Sequence, residues 1–155
     1  MKYWLLKSEP DTFSITDLKA RPRRTEHWDG VRNYQARNYI REMQKGDHAF
    51  FYHSSCAEPG VVGTVTVVSD PYPDFTAFDP HNPHYDPKST PDHPRWFMVD
   101  VRHDKTFRNT VGLQQLKECR ELTGFALLNR GNRLSIMPVT ASQWRFINSL
   151  AGEGA

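Results

Sequence analysis

The feature that most constrains the fold is the order in which strand-like and helix-like segments follow one another. The helical segments differ in length, and no strand-like run is followed by a glycine-rich phosphate-binding loop. This order indicates an α+β fold, with a mixed sheet or small barrel and helices packed around it, rather than a doubly wound nucleotide-binding fold. Strand-like alternation or β-branched content occurs at residues 2–7, 48–53, 61–68, 95–101 and 135–139.

Helix starts are marked by side chains that cap backbone N–H groups. Asn33 is a good N-cap for a helix over residues 34–43, in which Ala36 and Ile40 have the spacing of one buried face. Such a helix needs a sheet or a second helix to cover that face. The other predicted N-caps are Ser14, Thr140 and Thr110, the last opening a helix that runs to about Cys119.

Residues 70–94, called the flap from here on, contain seven of the eleven prolines and no periodic pattern. A loop of this length inside a domain is usually functional or disordered. Aromatic side chains give the flap apolar surface with which to pack against the domain, so we expect it to be ordered. These side chains are Tyr72, Phe75, Phe78 and Tyr85.

Length and composition are those of a single globular domain over residues 1–155, with 37% hydrophobic and 25% charged residues. No run approaches the roughly 20 apolar residues that cross a bilayer, so no membrane contact is predicted. The two cysteines form no Cys-x-x-Cys pair and no disulfide framework. We therefore expect a cytoplasmic location.

The net charge is only +2, but its distribution is uneven. Residues 1–45 hold half of the lysines and arginines, residues 46–94 hold Lys88 alone, and the remainder of the chain is basic again. Two basic ends that fold together would give a one-sided field that attracts phosphates. An ordinary solvated surface is the alternative interpretation.

Hydrolytic and metal chemistry find little support in the spacing of the polar residues. No pair of carboxylates is set apart for acid–base work. His81 and His84 have a metal-like spacing, but Pro83 between them prevents a regular helical geometry. His53 and Cys56 are close in sequence without a third catalytic partner. We predict surface histidines, with no metal and no cofactor.

Three short segments favour recognition of a nucleic acid. Residues 28–38 begin with a tryptophan beside a predicted helix N-terminus, followed by amides and arginines that suit base edges and phosphates. Residues 50–55 end a strand in polar side chains, and residues 130–135 form a basic turn suited to phosphate. Each segment also has a purely structural interpretation: a core tryptophan, the solvent-exposed end of a buried strand, and a surface hairpin turn.

Together with four further motifs, these segments resemble the EVE domain family, which occurs in bacteria and in eukaryotes. The motifs run in family order from residue 1 to about residue 150, and the eleven-residue run is highly specific. They are WLLKSEP at 4–10, WDGVRNYQARN at 28–38, GD at 46–47 leading to FYHS at 51–54, GVVG at 60–63, PRWFMVDV at 94–101 and RGNRLS at 130–135.

The resemblance implies a PUA-like fold, a bent mixed β-barrel of about five or six strands flanked by helices. It also implies a non-catalytic module whose partner is DNA, or RNA, carrying a modified cytosine or adenine. Related readers of N6-methyladenine place a cage wall and a base-contacting amide where Trp28 and Asn33 stand. The implied base pocket is Trp28, Asn33, Tyr52, His53, Ser54 and Trp96. Flanking contacts, chiefly to phosphates, are expected from Arg32, Arg37, Asn38, Arg130, Asn132 and Arg133.

Two other functions remain open on the sequence. One is an enzyme that acts on a modified nucleoside, with His53 as its acid–base. The other is an interaction module that holds a peptide in an aromatic groove. Since bacterial EVE domains are often linked to modification-dependent restriction, the resemblance also suggests a separate restriction-type nuclease as a partner.

Overall fold

A computed structural model describes residues 1–152, so the last three residues of the domain predicted over 1–155 lie outside it. The strands are β1 Tyr3–Ser8, β2 Thr25–His27, β3 His48–His53, β4 Gly60–Val67, β5 Tyr72–Pro73, β6 Phe97–Met98, β7 Asp100–Gly112 and β8 Ile136–Val139. The α-helices are α1 Ile15–Lys19, α2 Tyr34–Glu42, α3 Leu113–Lys117 and α4 Ala141–Leu150.

In the described part of the chain, six strands form one mixed sheet in the order β2-β7-β4-β3-β1-β8. β1 and β3 run parallel, and the other neighbours in this sheet are antiparallel. The pairing shifts register once between β3 and β4 and twice between β4 and β7. Such irregularities bend strands and increase their twist. The sheet curls into half of a barrel, which confirms the expected bent, mixed, PUA-like α+β fold.

Side chains that alternate along each strand build a core on both faces of the sheet. In β1, Leu6 joins the first core and Leu5 the second; in β3, Phe51 joins the first and Phe50 the second. All four are fully buried. Helices α1 and α2 cover the first core, and helices α3 and α4 cover the second. Adjacent residues of one strand therefore serve opposite sides of the molecule.

The predicted helix caps are confirmed at Asn33, Ser14 and Thr140. The Asn33 side chain accepts a hydrogen bond from the Ala36 amide at 3.0 Å, and the other two head complete capping boxes. These local bonds satisfy N–H groups that have no partner inside the helix. Among residues 1–152, no helix is both long enough and apolar enough to span a bilayer.

Two predicted boundaries are wrong, both around β7. The strand expected over residues 95–101 is broken, because β6 ends at Met98 and β7 begins only at Asp100. Thr110 is no helix cap: it lies in β7, and Gly112 caps α3 instead. The polar residues of β7 resemble loop in the sequence, yet pairing with β4 extends the strand as far as Gly112.

The flap is packed against the domain, as expected. Asp74, Thr76, Ala77 and Ser89 are buried, and β5 pairs with β6. A short 3₁₀ turn over Phe75–Phe78 follows β5. The proline-rich segment therefore takes part in the tertiary structure, with buried polar residues as its attachment points.

Asp47 joins the start of β1, the turn after α2 and the start of β3. Its side chain is 3% exposed, and its carboxylate accepts hydrogen bonds from the Lys2 amide at 3.0 Å, the Trp4 indole at 3.1 Å and the Gln44 amide at 3.0 Å. These bonds position the parallel pair β1–β3, which has no short hairpin to hold its register.

We expect Asp47→Ala to lower the free energy of unfolding by about 2–4 kcal/mol, because it leaves partly or fully buried donors without an acceptor. Urea unfolding followed by tryptophan fluorescence measures this change. Asp70→Ala is the matched control, since Asp70 is exposed and only its backbone carbonyl accepts a bond. Equal stability of the two variants would contradict the role given to Asp47.

Candidate nucleic-acid interface

A cleft of about 460 Å³ opens where the end of β1 faces the segment between β2 and α2. We call it the Trp28 cleft. The residues flanking α1, the flap and the residue before β8 complete its walls, so five parts of the chain meet there. The lining residues are Lys7, Ser8, Glu9, Thr12, Phe13, Arg21, Glu26, His27, Trp28, Asp29, Gly30, Val31, Arg32, Asn33, His84 and Ser135.

Trp28 and Phe13 are the aromatic residues of this lining. The indole of Trp28 is 8% exposed and packs edge-on against Phe51, with ring centroids 5.4 Å apart. Phe13 lies 6.3 Å from Trp28 at an interplanar angle of 76°. Because these rings are nearly perpendicular, a flat ligand stacked on one would meet the edge of the other, a favourable aromatic arrangement.

The N-terminus of α2 borders the cleft through Asn33. Its side-chain oxygen is engaged in the cap described above, while the residue as a whole is exposed. The positive end of the helix dipole favours negative charge or an acceptor atom close to this position. Asn33 therefore lines the cleft next to the positive end of this dipole.

A buried ion pair fastens the flap to the cleft. The Asp74 side chain is fully buried and accepts hydrogen bonds from the Gly30 amide at 2.8 Å, Arg32 Nη1 at 2.9 Å, and the Thr76 amide and hydroxyl at 2.9 and 2.5 Å. Arg32 also donates to the His84 carbonyl at 2.8 Å. We call this set the Asp74 clamp, because each bond joins the flap to residues 30–32 or orders the flap itself.

Burial alone would raise the pKa of Asp74. Hydrogen bonds from Thr76, Gly30 and Arg32, together with the charge of Arg32, outweigh it and hold the pKa of this carboxyl below its ordinary value. A depressed carboxyl pKa means that the clamp stabilises the folded state at neutral pH. That stability is lost as the pH falls from the ordinary carboxyl value through the lowered one.

Gly30 allows the flap to pack directly against the backbone beside the cleft. It has φ +78°, and a Cβ there would lie 2.6 Å from Cε1 of His84. His84 Nδ1 lies 3.7 Å from the Asp29 carboxylate, which is also 3.9 Å from His27 Nε2. Within residues 1–152, no group of three or more His, Cys, Asp or Glu side chains is arranged to hold a metal ion.

Lys7 and Glu9 bring opposite charges to the cleft from the end of β1. Burial lowers the pKa of the Lys7 ammonium. The side chain of Glu9 is exposed. Glu26, by contrast, is occupied by Arg21 at 2.9 Å and His27 at 3.0 Å. Lys7 lines the cleft with its ammonium 6.0 Å from the centroid of the Tyr52 ring, and Glu9 adds an exposed carboxylate close by in the chain.

Tyr52, which lies in β3, and Ser54, which follows β3, were predicted to form the pocket but do not line the cleft. Tyr52 belongs to the second core, and burial, with a smaller contribution from Cys56, raises the pKa of its phenol to about 12. Ser54 follows β3, and its backbone amide donates to the Ser8 carbonyl at 3.0 Å. Tyr52 follows Phe51 in a strand, so it faces away from Trp28.

His53 and Trp96 also lie outside the lining. His53 Nε2 accepts a hydrogen bond from the Ile15 amide at 3.1 Å, and burial lowers the pKa of the imidazole. Trp96 stacks on Tyr34 at 4.8 Å and donates its indole N–H to Asp86 at 2.7 Å. In both side chains a polar atom is used to hold neighbouring segments together.

The predicted phosphate-contacting residues divide into engaged and free side chains. Arg37 donates to the Arg95 carbonyl at 2.7 Å and to Asn38 at 2.9 Å, and Arg32 belongs to the clamp. Asn132 orders its own turn, donating to the Ala126 carbonyl and accepting from the Leu134 amide. Arg130 and Arg133 are exposed, in the turn that leads to Ser135 of the cleft.

Sequence reasoning missed several lining residues. Lys7 and Glu9 stand in the WLLKSEP motif, which served to identify the family but was given no role in the pocket. Phe13 and His84 lie in segments without a motif, and His84 is 54 positions from Gly30. Only folding brings them together, so no local pattern marks them.

Comparison with known proteins decides the family of this chain. A model of the EVE domain matches residues 2–150. The chain belongs to the EVE domain family. This EVE domain is 46% identical to human thymocyte nuclear protein 1, over 96% of the chain and 73% of that relative.

Solved structures agree with this assignment. A protein from Pseudomonas putida has a TM-score of 0.91 at 48% identity, covering 96% of this chain and 99% of the other. The human THYN1 protein in complex with 5-methylcytosine containing DNA has a TM-score of 0.93 at 45% identity, covering 97% and 98%. The backbone of this EVE domain is therefore closely similar to that of the DNA-bound protein.

We expect Arg32→Met to lower the free energy of unfolding by about 3–5 kcal/mol, because it removes the cation from a buried carboxylate. Chemical unfolding at pH 7 measures the loss, and limited proteolysis should show new cleavage in the flap. Arg133→Met, at an exposed arginine, is the control and should change stability by less than about 0.5 kcal/mol. An unchanged proteolysis pattern in Arg32→Met would argue against the clamp.

Proposed function

We propose that this EVE domain is a non-catalytic DNA-binding module that holds one modified cytosine base in the Trp28 cleft. The observation that carries the proposal is its close structural match to a relative solved with 5-methylcytosine DNA. The cleft has the volume typical of small-ligand sites, about 300–1,000 Å³. A single base extruded from the duplex or from a single strand fits this scale.

Aromatic contact supplies the attraction for the base. The base stacks on one of the two perpendicular rings, Trp28 or Phe13, and meets the edge of the other. Stacking of this kind contributes about 1–3 kcal/mol per base. Extrusion from a duplex costs a few kcal/mol. Stacking alone therefore roughly balances extrusion, and further contacts must provide net affinity and selectivity.

The charged groups of the cleft match the hydrogen-bonding edge of cytosine. The exocyclic amino group of cytosine donates, and carboxylates are its usual protein acceptors. Glu9 and Asp29 supply such carboxylates in the lining. The ring nitrogen and carbonyl oxygen of cytosine accept, and the Lys7 ammonium, which lies over the Tyr52 ring in the free protein, turns towards the base to donate to them. Asn33 and the start of α2 add polar groups at the mouth of the cleft.

Phosphates beside the extruded base are held by two arginines that have no hydrogen-bond or ion-pair partner among residues 1–152. Arg130 and Arg133 have exposed side chains near the cleft wall at Ser135. Arg32 and Asn132 are committed to internal bonds, so they position the site rather than contact the polymer. Tyr52, His53 and Trp96 support the surrounding structure. Binding through free arginines weakens as salt rises, because counterions are released on binding.

The enzyme interpretation loses its acid–base residue at the cleft, because His53 holds the N-terminus of α1. Any strand cleavage that follows recognition belongs, in this proposal, to a separate restriction-type nuclease. A cytoplasmic location and RNA binding stay predictions from the sequence. A matched RNA oligonucleotide in the binding experiment tests the latter.

We expect at least a tenfold preference, about 1.4 kcal/mol, for DNA carrying 5-methylcytosine over the same DNA with cytosine. Fluorescence anisotropy at two salt concentrations measures it, with N6-methyladenine and plain adenine oligonucleotides in parallel. Affinity for every oligonucleotide should fall with salt, while the ratio between modified and plain DNA should persist. Equal binding to all of them would reject base recognition and leave a basic surface.

We expect Lys7→Met to weaken binding to the preferred oligonucleotide about tenfold or more, because it removes a charged hydrogen bond worth about 1.5–3 kcal/mol while keeping the apolar stem. Lys117→Met, at an exposed lysine outside the lining, is the control. Since burial lowers the pKa of Lys7, wild-type affinity should fall with rising pH earlier than an ordinary lysine titrates. A Lys7→Met protein with the same pH profile as wild type would refute this role.

A further inference from the structure

Phe75 is an exposed aromatic side chain on a rigid base. Its neighbours in the chain are almost completely buried: Asp74 is 0%, Thr76 4% and Ala77 0% exposed, whereas Phe75 is 51% exposed. The backbone on both sides is fastened, because Asp74 belongs to the clamp and the Ala77 amide donates to the Asp74 carbonyl at 3.3 Å. The phenyl ring is therefore held out into solvent by a fixed turn.

The ring stands at the rim of the Trp28 cleft. Phe75 packs its ring edge-on against His27, with centroids 5.2 Å apart at an angle of 63°. His27 lines the cleft and directly precedes Trp28 in the chain. One exposed apolar residue is ordinary on a protein surface. A rigidly held ring beside a cleft large enough for one base, in contrast, lies close to the DNA from which that base is extruded.

A base that leaves a duplex leaves a gap in the stack. Proteins that deform DNA frequently insert an apolar side chain between base steps, and the inserted group offsets part of the unstacking energy. Such a wedge has to be apolar, exposed before binding, and rigidly connected to the pocket that receives the base. Phe75 meets these three requirements through its exposure, its fastened turn and its contact with His27.

We propose that Phe75 enters the DNA duplex at the position vacated by the extruded base and stacks against the neighbouring base pair. This inference rests on the proposed function, since it needs the base to occupy the Trp28 cleft. It goes further in naming the residue that offsets part of the unstacking energy when the substrate is double-stranded DNA. The clamp then has a second consequence: it fixes the wedge and the cleft relative to each other.

Three forms of one 5-methylcytosine oligonucleotide test this assignment: the matched duplex, a duplex with the modified base opposite an abasic site, and the single strand. Phe75→Ala should weaken binding to the matched duplex roughly tenfold, because the cost of extrusion is a few kcal/mol. Binding to the single strand should stay within about twofold, because no gap has to be filled. The abasic duplex, already weakened, should show an intermediate loss.

Two further variants separate the wedge from general damage to the flap. Phe75→Trp keeps an aromatic ring and should therefore bind the matched duplex like wild type, in contrast to Phe75→Ala. Lys88→Ala, at an exposed flap position whose backbone amide donates to Asp86, should bind all three forms like wild type. With 2-aminopurine beside the modified cytosine, the complex of Phe75→Ala should fluoresce more strongly than the wild-type complex, because stacking quenches this base.

The outcomes distinguish this inference from the proposed function. A wild-type protein that prefers 5-methylcytosine, with Phe75→Ala equal to it on the matched duplex, overturns the wedge alone. An equal loss on the duplex and the single strand also overturns it, since the ring would then act on the base or on the fold. A wild-type protein that binds methylated and plain DNA alike, both as duplex and as single strand, overturns both proposals.

Discussion

The carboxylate of Asp74 is the point on which the organisation of the cleft depends. It lies fully buried in the flap, and its partners Gly30 and Arg32 lie more than forty positions away in the chain. A buried carboxylate without donors is costly, so this one requires the flap to return to residues 30–32. Once it does, the Arg32 guanidinium also holds the His84 carbonyl, and the imidazole of that residue becomes part of the wall. The hydrogen bonds of this one carboxylate thus hold both the wall of the cleft and its rim in place.

The two-sided sheet explains why the cleft has the chemistry it has. Strand alternation sends Phe51 under Trp28 and sends Tyr52 into the opposite core. The aromatic floor of the cleft is therefore supported by the first core, while the second core meets the cleft through Tyr52, whose ring lies under the Lys7 ammonium. Most polar groups of the cleft lie at or near the ends of regular structure: at the end of β1, from β2 to the start of α2, and before β8. Backbone groups that leave a strand or start a helix lie there beside charged side chains, which suits a base edge and its phosphates.

Local signals predicted much of the fold. The caps at Asn33 and Thr140 were readable because they act within three residues, and the strands of the two cores were readable from their apolar alternation. The long strand β7 was not, because most of its exposed positions are polar and its length is set by pairing with β4. Of the residues predicted for the site, Trp28 and Asn33 line the cleft, whereas Trp96 lies outside the lining and donates to Asp86 of the flap.

The sequence by itself determined the class of fold, the family and the stretch of chain that carries the cleft's tryptophan, because each depends on residue types at short, fixed spacings. Tertiary structure alone decided which polar groups share the cleft. Lys7, Phe13, Asp29 and His84 come from separate segments, and their meeting depends on the curl of the sheet and the return of the flap. It also decided which arginines are free, because Arg32 and Arg133 look alike in the sequence but only Arg32 finds a buried carboxylate. That difference is set by long-range burial, which pattern and composition do not encode.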